Sequence, residues 1–352
     1  MLVWTMQYFQ SQTPLSTPEE VLAKLPLSDE ERKTVSTFRL TAEHIMRGED
    51  DRLIIFAGPC SIHCPEIALE YAHRFKALSD KVSERIFMVM RVFLEKPRTQ
   101  FGWKGFLYDP LLDGSYDIEK GLYASRKLLL ELAALKVPVA TEFLDPLLSP
   151  YTQDLITWGV IGARTSTSQI HRQMASHLSM PIGFKNETDG SLDNAICGAL
   201  AARHPQASLG INGEGKVCSM KTSGNPYTHL ILRGGEVASN YDEIAVSGAI
   251  QKQRLYGLSS RLLIDCAHGN SQKDPQKQQL AFCSTLEQIA EGNHLIMGAM
   301  LESHLQGRNA LSMTDPCLDW ETTEKLVLWA AGHPLSTSQS QLGQPTAAAS
   351  TL

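Results

Sequence analysis

The sequence predicts an α/β protein that folds as a (β/α)8 TIM barrel, with an N-terminal helical extension and an inserted β-hairpin. Short apolar runs alternate with segments of helical periodicity from Leu53 onward. Eight such runs can be distinguished, and eight βαβ-type units with right-handed crossovers close most naturally into a barrel. A length of 352 residues suits one barrel with additions.

The predicted strands are short, apolar and bounded by turn-forming residues. They comprise residues 53–57, 86–91, 137–142, 160–164, 182–185, 229–233, 262–266 and 295–301. Between them, the clearest helical segments are residues 65–78, 118–135, 192–203, 242–256 and 276–291. The barrel is therefore expected to occupy residues 51–332.

Three segments lie outside this repeat. Residues 1–50 are predicted to be a helical extension, because capping boxes at residues 17–20 and 28–31 each begin a helical segment. Residues 207–222 contain two strand-like runs around an Asn-Gly-Glu-Gly turn, which indicates a hairpin before the sixth strand. Residues 333–352 are poor in large apolar side chains, so a disordered tail is expected.

Composition excludes several classes of function. A net charge of −6 argues against a nucleic-acid or membrane-surface binder, and no apolar run approaches the length of a transmembrane helix. Seven cysteines without a disulfide-like spacing indicate a reducing compartment. Because the first residues also lack a basic signal-peptide region, a cytoplasmic location is expected.

Polar residues stand at or directly after the ends of the predicted strands. Four of them are basic and are predicted as last strand residues, although charges there can also simply mark the return of the chain to water. In a barrel, these ends meet at one face, where cations would repel each other unless an anion bound among them. Arginine and lysine suit phosphate and carboxylate groups. These residues are Arg91, Arg164, Lys185 and Arg233.

A second set of strand-end residues offers ligands for a metal. Cys60, His268 and Glu302 follow the first, seventh and eighth predicted strands. Each alone could be an ordinary core or solvated residue. Together at one barrel mouth, a thiolate, an imidazole and a carboxylate would suit a divalent transition metal. Glu142 ends the third predicted strand at the same face.

The segment 93–116 is a long loop without sustained periodicity, and such loops are usually functional or disordered. Lys96, Pro97, Arg98 and Thr99 place two cations and a hydroxyl on a proline-stiffened turn. This turn suits a second phosphate, and a solvated basic loop is the alternative.

Many motifs of the chain resemble those of type I alpha 3-deoxy-D-arabino-heptulosonate 7-phosphate (DAHP) synthases, in order from about residue 51 to residue 320. The motifs are GPCSIH, MRVFLEKPRT, GWKG, EFLD, IGART, GFKNETDG, TSGN, HLILRGG, IDCAHGNSQK and ESHL. The resemblance implies a transferase (EC 2.5.1.54) that condenses phosphoenolpyruvate, erythrose 4-phosphate and water to DAHP and phosphate. This reaction is the first step of the shikimate pathway.

The resemblance also implies roles for individual residues. The divalent metal, which could be Mn, Fe, Co or Zn, would be bound by Cys60, His268, Glu302 and Asp315. Phosphoenolpyruvate would be bound by Arg91, Lys96, Arg164, Lys185 and Arg233, and the sugar phosphate by Lys96, Pro97, Arg98 and Thr99. Glu142 would handle water or a proton, which makes the expected catalytic set Cys60, Lys96, Glu142, Lys185 and His268.

Two departures leave alternatives open. Only 12 residues separate Glu302 from Asp315, a shorter loop than is usual in the family. The extension and the hairpin, which resembling enzymes use for subunit contacts and feedback, also diverge. A homodimer or homotetramer is expected, with either an aromatic amino-acid effector or no regulation. The alternative functions are a sister synthase with another aldose phosphate and a catalytically silent regulatory barrel.

Overall fold

Eight parallel strands close into a barrel in the computed structural model, which describes residues 11–306 and 314–333. The strands are β1 (Leu53–Gly58), β2 (Ile86–Arg91), β3 (Val139–Glu142), β4 (Trp158–Ile161), β5 (Ile182–Lys185), β8 (Thr228–Leu232), β9 (Leu262–Asp265) and β10 (Ile296–Glu302). Their order around the barrel is β1-β10-β9-β8-β5-β4-β3-β2. The hairpin consists of β6 (Gln206–Ile211) and β7 (Val217–Thr222), which pair antiparallel. The predicted fold class is therefore confirmed.

Nine helices are present among the described residues. They are α1 (Pro18–Lys24), α2 (Asp29–Arg47), α3 (Pro65–Val82), α4 (Ile118–Ala134), α5 (Gln169–His177), α6 (Asp193–Arg203), α7 (Glu243–Leu255), α8 (Lys277–Ala290) and α9 (Trp320–Gly332). All residues of the barrel strands are buried, because helices cover the outside and side chains fill the inside. In the part of the chain that is described, no helix is both long and apolar enough to cross a bilayer.

The barrel interior is a packed core. Trp158 of β4 contacts the rings of Phe56 and His229 edge-on, with centroid distances of 5.2 and 4.8 Å. Ala42 and Ile45 of α2 belong to the same buried cluster. Helix α2 therefore covers the end of the barrel where the strands begin, which leaves the opposite end as the accessible mouth.

Backbone and side-chain hydrogen bonds fasten the extension to the barrel. Arg39 of α2 donates to the carbonyl oxygen of Ile156, at 2.9 Å, just before β4 begins. The backbone N–H of Glu19 in α1 donates to the carbonyl oxygen of Gly213, in the turn of the hairpin, at 2.9 Å. The extension and the hairpin are thus in direct contact.

The predicted strands all overlap observed ones, but several boundaries are wrong. Strand β4 ends at Ile161 because a turn begins at Gly162, whose carbonyl oxygen accepts from the N–H groups of Thr165 and Ser166. Arg164 is therefore an exposed turn residue and not the end of a strand. Arg233 follows β8 directly, and Glu302 ends β10. Residues 1–10 of the predicted extension and 334–352 of the predicted tail lie outside the described residues.

Candidate active site at the barrel mouth

The carboxyl ends of the barrel strands bring distant residues together. Arg91, Glu142, Lys185, Asp265 and Glu302 are each the last residue of their strand. Parallel pairing aligns Gly58 of β1 with Glu302 of β10, and Cys60 follows two residues later. Residues that are more than 200 positions apart, such as Arg91 and Glu302, therefore share one mouth, as the sequence predicts.

Cys60, Glu302 and Asp315 form a cluster of potential metal ligands. One ligand atom from each lies within 4.8 Å of the others. Thr314 contacts the Cys60 thiol, with its Oγ1 atom 2.9 Å from Sγ. Burial, and then the negative charge of Glu302, raises the pKa of the Cys60 thiol. The cluster therefore joins a buried sulfur atom to two carboxylates.

His268 lies beside this cluster. Its Nε2 atom is 3.5 Å from Oε1 of Glu302, and its Nδ1 atom is 3.1 Å from Oδ2 of Asp265. The residue has a φ of 57°, so its backbone is in the left-handed region at the turn after β9. The predicted fourth ligand therefore contacts one member of the cluster and a carboxylate behind it.

Two buried ion pairs stand under the mouth. Nη2 of Arg91 is 2.9 Å from Oε1 of Glu302, and Nζ of Lys185 is 2.6 Å from Oδ2 of Asp265. Burial alone would raise the pKa of Glu302, but His268, Arg91 and Lys96 hold it below its usual value. Burial acts in the same direction on Asp265, yet Lys185 and His268 bring its pKa well below the usual range. Both carboxylates are therefore ionised at neutral pH.

Lys96 and Glu142 complete the inner mouth. Nζ of Lys96 donates to the carbonyl oxygen of Cys60 at 2.8 Å and lies 3.3 Å from its sulfur. Within the described residues, the buried Oε1 atom of Glu142 has no hydrogen-bond partner. It points towards Gly162, where a Cβ atom would come within 2.1 Å of it. Glycine at this position leaves room for the carboxylate.

A second basic cleft lies beside the mouth. It is lined by Lys96, Pro97, Arg98, Gln100, Phe101, Gly102, Lys104, Tyr108 and Leu144. Thr99 connects this cleft to the β4 turn, since its Oγ1 atom accepts a hydrogen bond from Nε of Arg164 at 2.7 Å. The structure thus places Arg164 between the cleft and the inner mouth.

Arg233 is buried at the far side of the mouth. Its pKa is lowered, mainly by burial, although Asp265 opposes this effect, and the nearby charge of Arg164 lowers it further. Nη1 donates to the carbonyl oxygen of Gly234 at 3.3 Å, whereas the buried Nε atom has no partner among the described residues. This guanidinium therefore keeps donor capacity for a bound anion.

The sequence analysis missed several residues of the site. Asp265 was absent from the predicted set, although a carboxylate that ends a strand of a barrel is a signal that could have identified it. Lys104 was also absent from the predicted set, although it lies in the GWKG motif, and Thr314 gave no comparable signal because a threonine is common at turns. Their positions depend on contacts between segments that are far apart in sequence.

Comparisons with known proteins agree with this geometry. The model of the DAHP synthetase I family matches residues 25–333. The Tyr-sensitive phospho-2-dehydro-3-deoxyheptonate aldolase of Escherichia coli (strain K12) is 47% identical over 325 residues, which cover 89% of this chain and 91% of that protein. The Trp-sensitive enzyme of Enterobacter agglomerans is 43% identical over 324 residues, or 89% of this chain and 93% of that protein.

A solved structure extends the likeness to three dimensions. The phospho-2-dehydro-3-deoxyheptonate aldolase of Francisella tularensis SCHU S4 superposes with a TM-score of 0.89 at 40% sequence identity. The match covers 92% of this chain and 98% of that one. The likeness therefore includes the whole barrel.

Proposed function

Since the chain belongs to the DAHP synthetase I family, we propose that it condenses phosphoenolpyruvate with D-erythrose 4-phosphate and water to give DAHP and phosphate. The observation that carries this proposal is the joining of a thiol-carboxylate cluster to two groups of cations at one barrel mouth. The reaction is the first step of the shikimate pathway. The complete set of donors and cations disfavours a catalytically silent barrel.

The residues present fit a divalent metal ion. Cys60, His268, Glu302 and Asp315 would hold it, and their sulfur, nitrogen and oxygen donors suit manganese, iron, cobalt or zinc. Such an ion supplies Lewis acidity towards the carbonyl oxygen of the sugar aldehyde. Arg91 would position the Glu302 ligand through the 2.9 Å ion pair.

The cations divide between the two substrates. Lys96, Lys185 and Arg233 in the inner mouth, with Arg164 at its edge, would bind the phosphate and carboxylate of phosphoenolpyruvate. The resemblance implies that Arg91 also binds phosphoenolpyruvate. Because Arg91 has no exposed surface, we propose instead that it supports Glu302 and supplies positive charge without touching the substrate. The cleft with Pro97, Arg98 and Thr99 would take the phosphate of the sugar, together with Lys96 at the boundary.

This division places the reacting carbons next to each other. C3 of phosphoenolpyruvate forms a bond to the aldehyde carbon, which leaves positive character at C2. The π bond of the aldehyde carbonyl breaks in this step, and its oxygen becomes a hydroxyl. A water molecule then adds its oxygen to C2, the C–O bond to the phosphate breaks and C2 becomes a ketone. The two protons of the water thus end on the former aldehyde oxygen and on the departing phosphate. The Oε1 atom of Glu142, which has no hydrogen-bond partner among the described residues, is suited to hold that water or take its proton. Two anchored anions supply much of the rate by proximity.

We further propose that the protein is regulated by an aromatic amino acid and that the protein assembles as a homodimer or homotetramer in the cytoplasm. Two relatives are named Tyr-sensitive and Trp-sensitive. A polar cleft lies at the base of the hairpin and offers a carboxylate and an ammonium group, which a zwitterion needs. It is lined by Glu43, residues 176–180 and residues 221–227. Measuring activity with saturating Tyr, Phe and Trp tests the regulation. The molecular mass from light scattering tests the oligomeric state.

The central experiment measures phosphate release by the metal-reconstituted protein with both substrates, before and after a chelator. We expect release that needs both substrates, is lost with the chelator and falls at least about 1000-fold in Cys60→Ala. Cys64→Ala is the matched control, because the hydrogen bonds of this thiol within the described residues are to Glu66 and to the backbone at the start of α3, and not to the proposed ligands. No release with any of the four metals would refute the proposed activity, and release with another aldose phosphate alone would change the acceptor.

A further inference from the structure

Three asparagines enclose the backbone around Arg233. Asn186 follows β5, Asn240 lies in the loop after β8, and Asn270 lies in the turn after β9. They come from three separate segments and converge on a single short stretch, Leu232 to Gly234. We call Asn186, Asn240 and Asn270 the asparagine network.

Asn186 and Asn240 hold the two peptide groups that flank the Arg233 side chain. Oδ1 of Asn186 accepts from the N–H of Arg233 at 2.7 Å, and its Nδ2 donates to the carbonyl oxygen of Gly234 at 3.0 Å. Oδ1 of Asn240 accepts from the N–H of Gly234 at 2.7 Å.

Asn270 makes hydrogen bonds to the remaining backbone groups of this stretch. Its Nδ2 donates to the carbonyl oxygens of Leu232 and Asp265, at 3.2 and 2.8 Å, and its backbone N–H donates to the carbonyl oxygen of Arg233 at 3.2 Å. Every backbone polar group from the Leu232 carbonyl to the Gly234 carbonyl is thereby bonded to an asparagine.

The side chain of Arg233 is bonded far less completely than its backbone. Its Nη1 makes one 3.3 Å hydrogen bond, and its buried Nε makes none within the described part of the chain. A fixed backbone limits the directions that the guanidinium can take, while its free donors stay available to a ligand. This combination is expected where a side chain must be held ready for an anion.

We propose that Asn240 is a positioning residue that fixes Arg233 for binding phosphoenolpyruvate. The inference rests on the proposed function, which assigns Arg233 to this substrate. Asn240 is the link that joins the network, because its Nδ2 donates to Oδ1 of Asn186 at 3.2 Å and its backbone N–H donates to Oδ1 of Asn270 at 2.8 Å. In the described part of the chain, the hydrogen bonds of Asn240 stay within the asparagine network and the Arg233 backbone and do not reach the cleft around Arg98, so we expect its effect to be confined to one substrate.

The test compares Asn240→Ala with a control variant at a buried polar side chain of helix α8. Thr285 is buried, and its Oγ1 atom donates to the carbonyl oxygen of Ala281 in the same helix at 2.7 Å. In Asn240→Ala, we expect the KM for phosphoenolpyruvate to rise about tenfold, with the KM for erythrose 4-phosphate changed less than twofold. Thr285→Ala should lower the melting temperature and leave both KM values unchanged.

A double-mutant cycle with Arg233→Ala distinguishes positioning from a purely structural role. If Asn240 acts through Arg233, adding Asn240→Ala to Arg233→Ala should cause no further rise in the KM for phosphoenolpyruvate. Asn240→Ser keeps a polar group one bond shorter than the amide, which weakens both side-chain contacts without removing hydrogen-bonding capacity. It should give an intermediate KM and serves if the alanine variant does not fold.

Several outcomes would overturn the inference. They are equal increases in both KM values, a lower melting temperature with unchanged KM values, and additive effects in the cycle. Inactivity of the unmodified protein with both substrates would instead refute the proposed function. An unchanged KM for phosphoenolpyruvate in Arg233→Ala would remove the assignment of Arg233 and the inference with it.

Discussion

Two buried arginines show how this molecule differs between its mouth and its outer layer. Arg91 is 0% exposed at the end of β2, and Arg126 is 1% exposed in α4. All three guanidinium nitrogens of Arg126 are bonded, to the carbonyl oxygens of Leu25 and Tyr151 and to the carboxylate of Asp154. Arg91 has one carboxylate partner, a contact with a sulfur atom, and an Nε atom with no partner within the described residues. Arg126, whose guanidinium nitrogens are all hydrogen-bonded, is therefore the arginine with a structural role.

The same contrast separates the two ends of the barrel. At the end where the strands begin, Ala42 and Ile45 of α2 pack into the interior apolar core with Phe56 and Trp158. At the mouth, Glu142 and Arg233 keep buried polar atoms without partners in the described segments. Within the described segments, Trp158 Nε1 and His229 Nε2 in the barrel core also lack partners, so an unbonded atom alone does not mark a site. Glu142 and Arg233 differ because they are charged side chains at the mouth, where a ligand can complete their bonding.

The largest expected effect comes from replacing each of the two arginines by lysine. Arg91→Lys should lower kcat/KM about 100-fold, because a single ammonium cannot hold Glu302 as the planar guanidinium does. Arg126→Lys should lower the free energy of unfolding by about 3 kcal/mol, because three groups lose their donors. Steady-state kinetics and urea denaturation of both variants measure these effects.

Each arginine is the control for the other. Arg126→Lys should keep kcat/KM within twofold per folded molecule, since none of its partners lies at the mouth. If both variants lost mainly stability, or both mainly activity, unsatisfied donors would not distinguish the two regions.

A smaller effect is expected in the cleft beside the mouth. Arg98→Ala should raise the KM for erythrose 4-phosphate about 30-fold, the effect of losing a charged hydrogen bond worth roughly 2 kcal/mol. The KM for phosphoenolpyruvate should change little, because Arg98 lines the cleft and not the inner mouth. Arg74→Ala is the control, because the ion pair of Arg74 in the described part of the chain is with Glu70 on the surface of α3. A selective rise for phosphoenolpyruvate would reverse the assignment of the two anion sites.

The barrel could be predicted from the sequence because its strands are short apolar runs that stop at polar residues. This pattern correctly places Cys60, Arg91, Glu142 and Lys185 at the mouth. The same reasoning treats the basic residues as a cluster whose charge is balanced by a bound anion. It therefore misses Asp265, whose Oδ2 atom lies 2.6 Å from Nζ of Lys185 and balances that charge. Pairing of this kind depends on which strands are neighbours in the closed barrel, and strand-end residues alone do not reveal it.

The asparagine network also could not be predicted from the sequence. Asparagine is a common turn residue, so Asn186, Asn240 and Asn270 read as ordinary loop positions. Their joint role appears only when β5, β8 and β9 lie side by side, in the order that the barrel sets. Periodicity predicts elements, whereas these contacts depend on the geometry between the elements.

Glu95 offers a pH-dependent test of a buried group between the cleft and β3. Burial, reinforced by Asp145 and Glu142, raises its pKa to about 8, although the N–H groups of Leu144 and Asp145 donate to it. A raised pKa contributes stability below the unfolded value of about 4.3, and this stability is lost as pH rises through about 8. Glu95→Gln cannot ionise, so its free energy of unfolding should improve relative to the unmodified protein between pH 5 and pH 8, by on the order of 2 kcal/mol.

Urea denaturation at pH 5, 7 and 9 measures this difference. Glu84→Gln, at an exposed position after α3, is the control and should follow the unmodified protein at each pH. A constant difference between Glu95→Gln and the unmodified protein over this range would mean that Glu95 is ionised throughout.

The smallest effect is expected at the start of α2, the helix whose later residues Ala42 and Ile45 cover the end of the barrel. Oγ of Ser28 accepts from the N–H of Glu31 at 3.2 Å, and the Glu31 carboxylate accepts from the N–H of Ser28 at 2.9 Å. Ser28→Ala should lower the free energy of unfolding by about 1 kcal/mol, because the first turn of the helix loses its cap. Ser36→Ala is the matched control, since Ser36 lies inside α2 and its hydroxyl donates to a carbonyl of the same helix.

Neither serine substitution should alter the KM for either substrate, because α2 packs against the end of the barrel opposite the mouth. A KM that changed in Ser28→Ala but not in Ser36→Ala would show that the helix start is coupled to the site through the barrel core. The two ends would then not be the independent regions that their different hydrogen bonding indicates. Unchanged KM values, together with the expected loss of stability in Ser28→Ala, would support the independence of the two ends.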